Sequence, residues 1–136
     1  EYDISSFLNF EKLNKIYQVN YYKKMMTKII LKKEKLLIKL NYLIKKGYVI
    51  AGIGVGAKSN TFLTFYGLDN KIVNFLTDSS IYKQNKYTPV TRILIKDDKE
   101  VKKYKKIACI ILSWNISKLV IRKVKKLNNN IKLIYT

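Results

Sequence analysis

The sequence has no histidine, one cysteine, one proline, five glycines and, among its 28 basic residues, only two arginines, Arg92 and Arg122. Each shortage excludes something. Without histidine the commonest general base and metal ligand are missing, and with it the Ser-His and Cys-His catalytic arrangements. The single cysteine, Cys109, rules out a disulfide framework and any zinc site built from cysteines. So little glycine and proline excludes collagen-like chains and Pro/Gly-rich disordered ones. No apolar run nears the roughly 18 residues of a membrane span. The longest, Ile107 to Leu112, has the length of a buried strand. By itself the chain reads as a poor enzyme, with no catalytic residue and no metal ligands to nominate, and no membrane insertion is expected.

What is present is length, charge and pattern. With 136 residues, 48% of them hydrophobic, the chain is one ordinary domain with enough apolar material for a core. Its formal net charge of +19 directs attention to a nucleic acid or another polyanion as partner. Codon bias offers a second explanation, because Lys, Ile, Asn and Tyr share A/T-rich codons and all four crowd this chain. Lysine is also less suited than arginine to bidentate recognition of phosphate or bases. The opening, Glu1-Tyr-Asp-Ile-Ser-Ser, lacks the basic region and apolar core of a signal peptide. A start at Glu1 rather than Met reads as a processed product or a piece of a longer chain. A soluble, cytoplasmic protein is the expectation, with Cys109 an inert core thiol.

Two regions differ in period. From Phe7 to about Lys46 there is no Gly or Pro, and apolar residues recur every three or four positions, which predicts one long amphipathic helix or two joined near Met26-Thr27. Ser5 or Ser6 would cap its start and Gly47 its end. Its polar face is almost all lysine. Such a face suits an anionic membrane or a nucleic acid, but the apolar stripe is expected to pack on the sheet just downstream. From Tyr48 short β-rich runs alternate with helical ones: strands at 48–52, 71–77, 92–96, 107–112 and 131–134, helices at 57–66 and 116–127, and a short helix capped by Asp97 or Asp98. Strands alternating with helices predict a mostly parallel sheet covered on both faces. The expected architecture is an α/β, small Rossmann-like domain over 48–136, preceded by a helical extension over 1–47.

The run Gly52-Ile-Gly54-Val-Gly56-Ala57-Lys58-Ser59 stands directly after the first strand and before a helix. It matches the G-x-G-x-x-[GA] fingerprint, whose small residues let a phosphate approach the backbone at a helix N-terminus. Asp78, at the end of the next strand, is near where a ribose-binding acid belongs. Lys58 at the helix start suits a phosphate better than a nicotinamide. Ala57-Lys58-Ser59 narrowly misses a Walker loop. Anion binding, NAD binding and a ligand-free tight turn all remain open on the pattern.

Three stretches in order resemble the C-terminal domain of sugar-nucleotide C-methyltransferases, which depend on S-adenosylmethionine. They are the glycine segment from Gly52 through Asn60, Thr61 and Leu63, then Asp78-Ser-Ser-Ile-Tyr82-Lys83-Gln84-Asn-Lys-Tyr87-Thr88-Pro89, and then Leu112-Ser-Trp114-Asn115. The second is similar to the family's Asp-x-x-x-x-Lys-Gln-Gly-x-x-x-Pro and the third to its Leu-x-Trp-Asn. The chain departs from the family pattern at Ser59, Asn85 and Val90, where glycine is common, and these departures bear on the conformation of the Lys83 loop and on substrate choice. The resemblance implies a domain that helps hold a nucleoside diphosphate sugar. It also implies that the catalytic base, the S-adenosylmethionine and a structural zinc belong to an upstream segment in cis, so this chain alone is expected to be inactive. The residues nominated for substrate binding are Gly52, Gly54, Gly56, Lys58, Asn60, Asp78, Tyr82, Lys83, Gln84, Trp114 and Asn115. Lys58 and Lys83 are the candidates for diphosphate or sugar contacts, Tyr82, Gln84 and Tyr87 for the nucleotide, and Asn115 for the cap of the helix from Ile116. The competing class is a small basic nucleic-acid or polyanion-binding module.

Overall fold

The computed structural model describes residues 3–135. They divide into two compact units, Glu1–Leu36 and Leu37–Thr136. The first unit holds helix α1 (Ile4–Leu13) and the start of α2 (Val19–Lys45). The helical prediction holds, but the break falls at Asn14–Gln18 rather than near Met26-Thr27. The reason is a cap. Lys15 takes the left-handed position after α1 (φ 55°), where its N–H donates to Lys12 O at 3.0 Å and the Ile16 N–H donates to Glu11 O at 3.1 Å. This pair of bonds closes the last carbonyls of a helix and turns the chain away. The start is capped by Asp3, whose carboxylate accepts the Ser5 N–H at 3.0 Å, not by Ser5 or Ser6. Helix α1 buries no residue, and the buried residues of α2 are Leu36, Leu40 and Leu43.

In the second unit α2 ends as expected at Gly47 (φ 76°), with the Tyr48 N–H donating to Leu43 O at 3.0 Å. Five strands follow: β1 (Val49–Ile53), β2 (Phe75–Thr77), β3 (Ile95–Lys96), β4 (Ile107–Ile111) and β5 (Lys132–Ile134). They form one all-parallel sheet in the order β3-β2-β1-β4-β5. This is the expected Rossmann-like α/β domain. Helix α3 (Ala57–Tyr66) joins β1 to β2, and α4 (Ser117–Leu127) joins β4 to β5. A 3-10 helix over Asp98–Lys103, capped by the Asp97 carboxylate as expected, leads into β4.

The strands are shorter than their apolar runs predict because other groups take ladder positions. The Asn74 side chain accepts the Ile50 N–H at 2.9 Å, so the chain joins β1 as a strand only from Phe75. Beside β3, Asn85 donates to Ile95 O and Ile95 donates to Lys86 O, each at 2.8 Å. The loop after Asp78 thus folds back along the edge strand. Such a return covers an edge that would otherwise present bare N–H and C=O groups.

Alternation along the central strands divides the core. Ala51, Ile53, Phe75, Ile107, Cys109 and Ile111 face Val101, Val124 and Ile131, with Val120 and Ile121 of α4 packed against them. Burial pushes the Cys109 thiol up to about 12, so it stays a neutral core group. On the other face, a side chain at Gly52 would meet Leu76 Cδ2 at 2.5 Å and Leu112 Cδ1 at 2.8 Å. Gly52 is therefore a packing glycine whose missing side chain lets two leucines close over the strand.

The loop between β2 and β3 carries three left-handed residues, Asn85 (φ 61°), Val90 (φ 62°) and Arg92 (φ 53°). Asparagine tolerates this conformation, but a β-branched side chain does not. The turn is held nonetheless: the Thr88 and Thr91 hydroxyls bond at 2.7 Å, and the Ile93 N–H donates to Thr88 Oγ1 at 2.9 Å. Val90→Gly should therefore stabilise the domain by about 1 kcal/mol, the relief of strain exceeding the entropy that glycine adds to the unfolded chain. A urea midpoint at or below that of the parent would contradict this account of Val90.

Candidate functional site

The sheet order reverses direction between β1 and β4. Open α/β sheets bind ligands outside the carboxyl ends of their strands at such a point. The glycine turn leaves β1 here, and Leu112-Ser113-Trp114-Asn115 leaves β4 beside it. Gly54 is left-handed (φ 87°), and a side chain on it would lie 1.7 Å from Ser113 Oγ. The two chain exits are thus in backbone-to-side-chain contact over the switch point. Gly56 differs. Its backbone is extended (φ −127°, ψ 177°), and a side chain there would meet only Ser59 Oγ at 3.9 Å. The space beside Gly56 is open.

Gly56 lines three cavities. One, of about 360 Å³, runs between the start of α3 and the β4 exit and is lined by Lys58, Ser113, Trp114 and Asn115. A second, of about 330 Å³, lies toward α4, between Asp78, Lys83, Asp98 and Lys123. A third, of about 480 Å³, lies under the loop after β2 and is lined by Asn60, Tyr82, Lys83, Lys86, Tyr87 and Pro89. Ten of the nominated residues fall at this edge or next to it, whereas Gly52 lies inside β1.

The polar groups of the turn can be followed one by one. Gly54 N–H donates to Thr77 O at 2.8 Å, and Val55 N–H donates to Asp78 Oδ2 at 2.8 Å. Val55 O accepts from Lys83 Nζ at 2.6 Å, and Gly56 N–H donates to Ser59 Oγ at 3.1 Å. Gly56 O accepts the Ser59 and Asn60 N–H groups at 3.1 and 3.2 Å. The next two N–H groups, of Ala57 and Lys58, donate to no atom of the described residues. They point outward from the first turn of a ten-residue helix, where the positive end of the helix dipole also lies.

Asp78 is the most constrained acid of this edge. Its side chain is 12% exposed, and besides Val55 it accepts the Ser80 N–H at 2.9 Å and Lys83 Nζ at 3.1 Å. Burial pushes its carboxyl up, but the hydrogen bonds from the Ser80 and Val55 N–H groups and from the Lys83 amine outweigh that and hold it below the usual carboxylate range. A ribose hydroxyl would have to compete with these donors. Gln84 is likewise engaged, donating to Asp78 O at 3.0 Å and to Asp97 Oδ2 at 3.2 Å, and so ties the loop to the sheet.

The remaining nominated residues divide by exposure. Lys58, Tyr82, Trp114 and Asn115 are exposed at cavity walls, with the Trp114 ring edge-on to Phe62 at 5.9 Å. Asn60 lies one turn into α3, its Oδ1 buried and without a hydrogen-bond partner. Asn115 is not the cap of α4. It sits inside a 3-10 turn over Trp114–Ile116, and α4 begins without a side-chain cap. Two groups were missed by sequence reasoning. Val55 contributes only backbone and leaves no residue signal. Ser113 lies inside a quoted motif, but its contact with Gly54 joins positions far apart in the chain.

The fold and the placement of the glycine turn define a Rossmann-like α/β domain whose candidate site is the carboxyl edge of its sheet. Among the described residues no cluster of three His, Cys, Asp or Glu could hold a metal, and no helix is long and apolar enough to cross a membrane. The chain belongs to the C-methyltransferase C-terminal domain family, whose model matches residues 1–136. No curated protein matches it.

Proposed function

We propose that this chain is the substrate-binding part of an S-adenosylmethionine-dependent sugar C-methyltransferase, and that it holds a nucleoside diphosphate sugar at the start of α3. One observation carries the reading: Ala57 and Lys58 present two N–H groups without acceptors, next to a lysine, where three cavities meet. A diphosphate supplies the acceptors and the charge, and the cavities on either side have room for its two substituents. Charge alone supports the polyanion reading, whereas the family and this local geometry together support a nucleotide sugar. The methyl donor, the base and a structural zinc would come from an upstream segment. The donor set here does not suit zinc, since histidine is absent and the only thiol is buried. A cytoplasmic location goes with a substrate of this kind.

The test is a titration of the ¹⁵N-labelled chain with UDP-glucose and dTDP-glucose. Shifts should concentrate on the amides of Gly56 to Asn60, and Lys58→Ala should weaken binding about tenfold, as expected for a charge-assisted phosphate contact. No shift at those amides in millimolar ligand would refute the proposal.

A further inference from the structure

We infer that Lys83 is the positioning residue of the glycine turn, acting through Val55 and Asp78, and not a ligand of the phosphate itself. The inference rests on the nucleotide-binding reading above and says how that site is held in shape. Val55 stands between two glycines, which leave the peptide planes on either side of it with little steric restraint. The Asp78–Lys83 pair restrains both planes. Asp78 Oδ2 takes the N–H of one at 2.8 Å, and Lys83 Nζ donates to the carbonyl of the other at 2.6 Å. The pair is itself joined at 3.1 Å, and the Ser80 N–H anchors the other carboxylate oxygen.

The hydrogen-bond sequence explains why this matters for a ligand. From Gly54 to Gly56 every backbone N–H is bonded within the domain, and the first open ones are those of Ala57 and Lys58. Their direction follows from the peptide planes just before them. If Lys83 moved away to bind a phosphate directly, Val55 O would lose the Lys83 hydrogen bond and Asp78 its one ion-pair partner among the described residues. Lysine has three N–H donors, and here two are engaged. Lys58, by contrast, is exposed on α3 and has no such duty.

The test compares Lys83→Met, Asp78→Asn, the double variant and Lys58→Ala in this chain, well below their melting transitions. Amide spectra are recorded without ligand, and UDP affinity is measured by calorimetry. Lys83→Met should move the ligand-free amides of Val55 to Lys58 and weaken UDP about tenfold, whereas in the Asp78→Asn background it should add only about threefold, since the bond to Val55 O is then the one left to lose. Lys58→Ala should weaken UDP while leaving the Val55 amide in place. A global loss of stability would not produce this non-additivity in affinity. Lys83→Gln, which keeps a donor, supplies the same comparison if the methionine variant fails to fold. Unmoved Val55 and Gly56 amides, or an equal loss of UDP affinity in both Asp78 backgrounds, would overturn the inference and make Lys83 a direct ligand. If UDP does not bind the parent chain, the nucleotide reading fails, while the ligand-free amides still decide whether Lys83 orders the turn.

Discussion

Gly54→Ala should destabilise the second unit by about 3–4 kcal/mol, a large share of the stability of an ordinary domain. Two separable costs add. An alanine in the left-handed region costs about 1–2 kcal/mol, and Gly54 is held there at φ 87°. The new methyl group would also lie 1.7 Å from Ser113 Oγ and 2.8 Å from Ser113 Cβ, so the β4 exit must shift, at an overpacking cost of roughly 2 kcal/mol. Ser113→Gly in the Gly54→Ala background should therefore restore about half of the loss, because it removes the clash and leaves the backbone strain. Gly56→Ala should behave in the opposite way. It has room and an extended backbone, so stability should change by no more than about 0.5 kcal/mol, while nucleotide affinity falls because the methyl group stands where the three cavities meet. Urea unfolding of the parent and the three variants separates these outcomes. No recovery on adding Ser113→Gly would show that the two exits do not confine each other.

Where the sequence was legible, a local rule sufficed. The change from helical to alternating period at Tyr48 marks β1, the glycines after it mark the turn, and the apolar run from Ile107 marks β4. What escaped was set by partners distant in the chain or by residues acting out of type. Lys15 does the work usually given to glycine or asparagine, so nothing in composition placed the end of α1 there. The Asn74 side chain and the backbone of Asn85 and Lys86 occupy ladder positions that the apolar runs at 71–77 and 92–96 had suggested for strands. The family pattern carried information that composition did not. Of the three positions where the resembled pattern carries glycine, Asn85 and Val90 are left-handed here, so the loop keeps a glycine backbone under other side chains, whereas Ser59 lies inside α3. The nominated site residues were largely brought to one edge, but what they bond to there, chiefly the backbone of Val55, has no side-chain signature.

Asp78→Asn should cost about 2–3 kcal/mol at pH 7, and acid should remove that difference. The carboxylate accepts from two backbone N–H groups and from Lys83, and such charge-assisted bonds to a largely buried acceptor are worth about 1.5–3 kcal/mol where they are lost. An asparagine can accept with one oxygen only, and it brings an NH₂ group against donors already present. The pH dependence follows from the direction of the shift. The folded-state carboxyl is held below its ordinary value, so ionised Asp78 stabilises the fold fully at pH values above the unfolded pKa of about 3.9. The contribution then declines as pH falls through the lower folded-state value. The gap in unfolding free energy between parent and Asp78→Asn should therefore be flat from pH 7 to about 5 and narrow below about 4. The same narrowing should be seen in the Val55 amide shift, because its acceptor loses charge when Asp78 is protonated. Glu100, held low by Lys103 and Lys96, contributes a parallel acid loss in both proteins and cancels from the difference. A gap that stays constant down to pH 3 would mean that the bonds to Asp78 do not depend on its charge. The turn would then be held by the shape of the loop rather than by the ion pair.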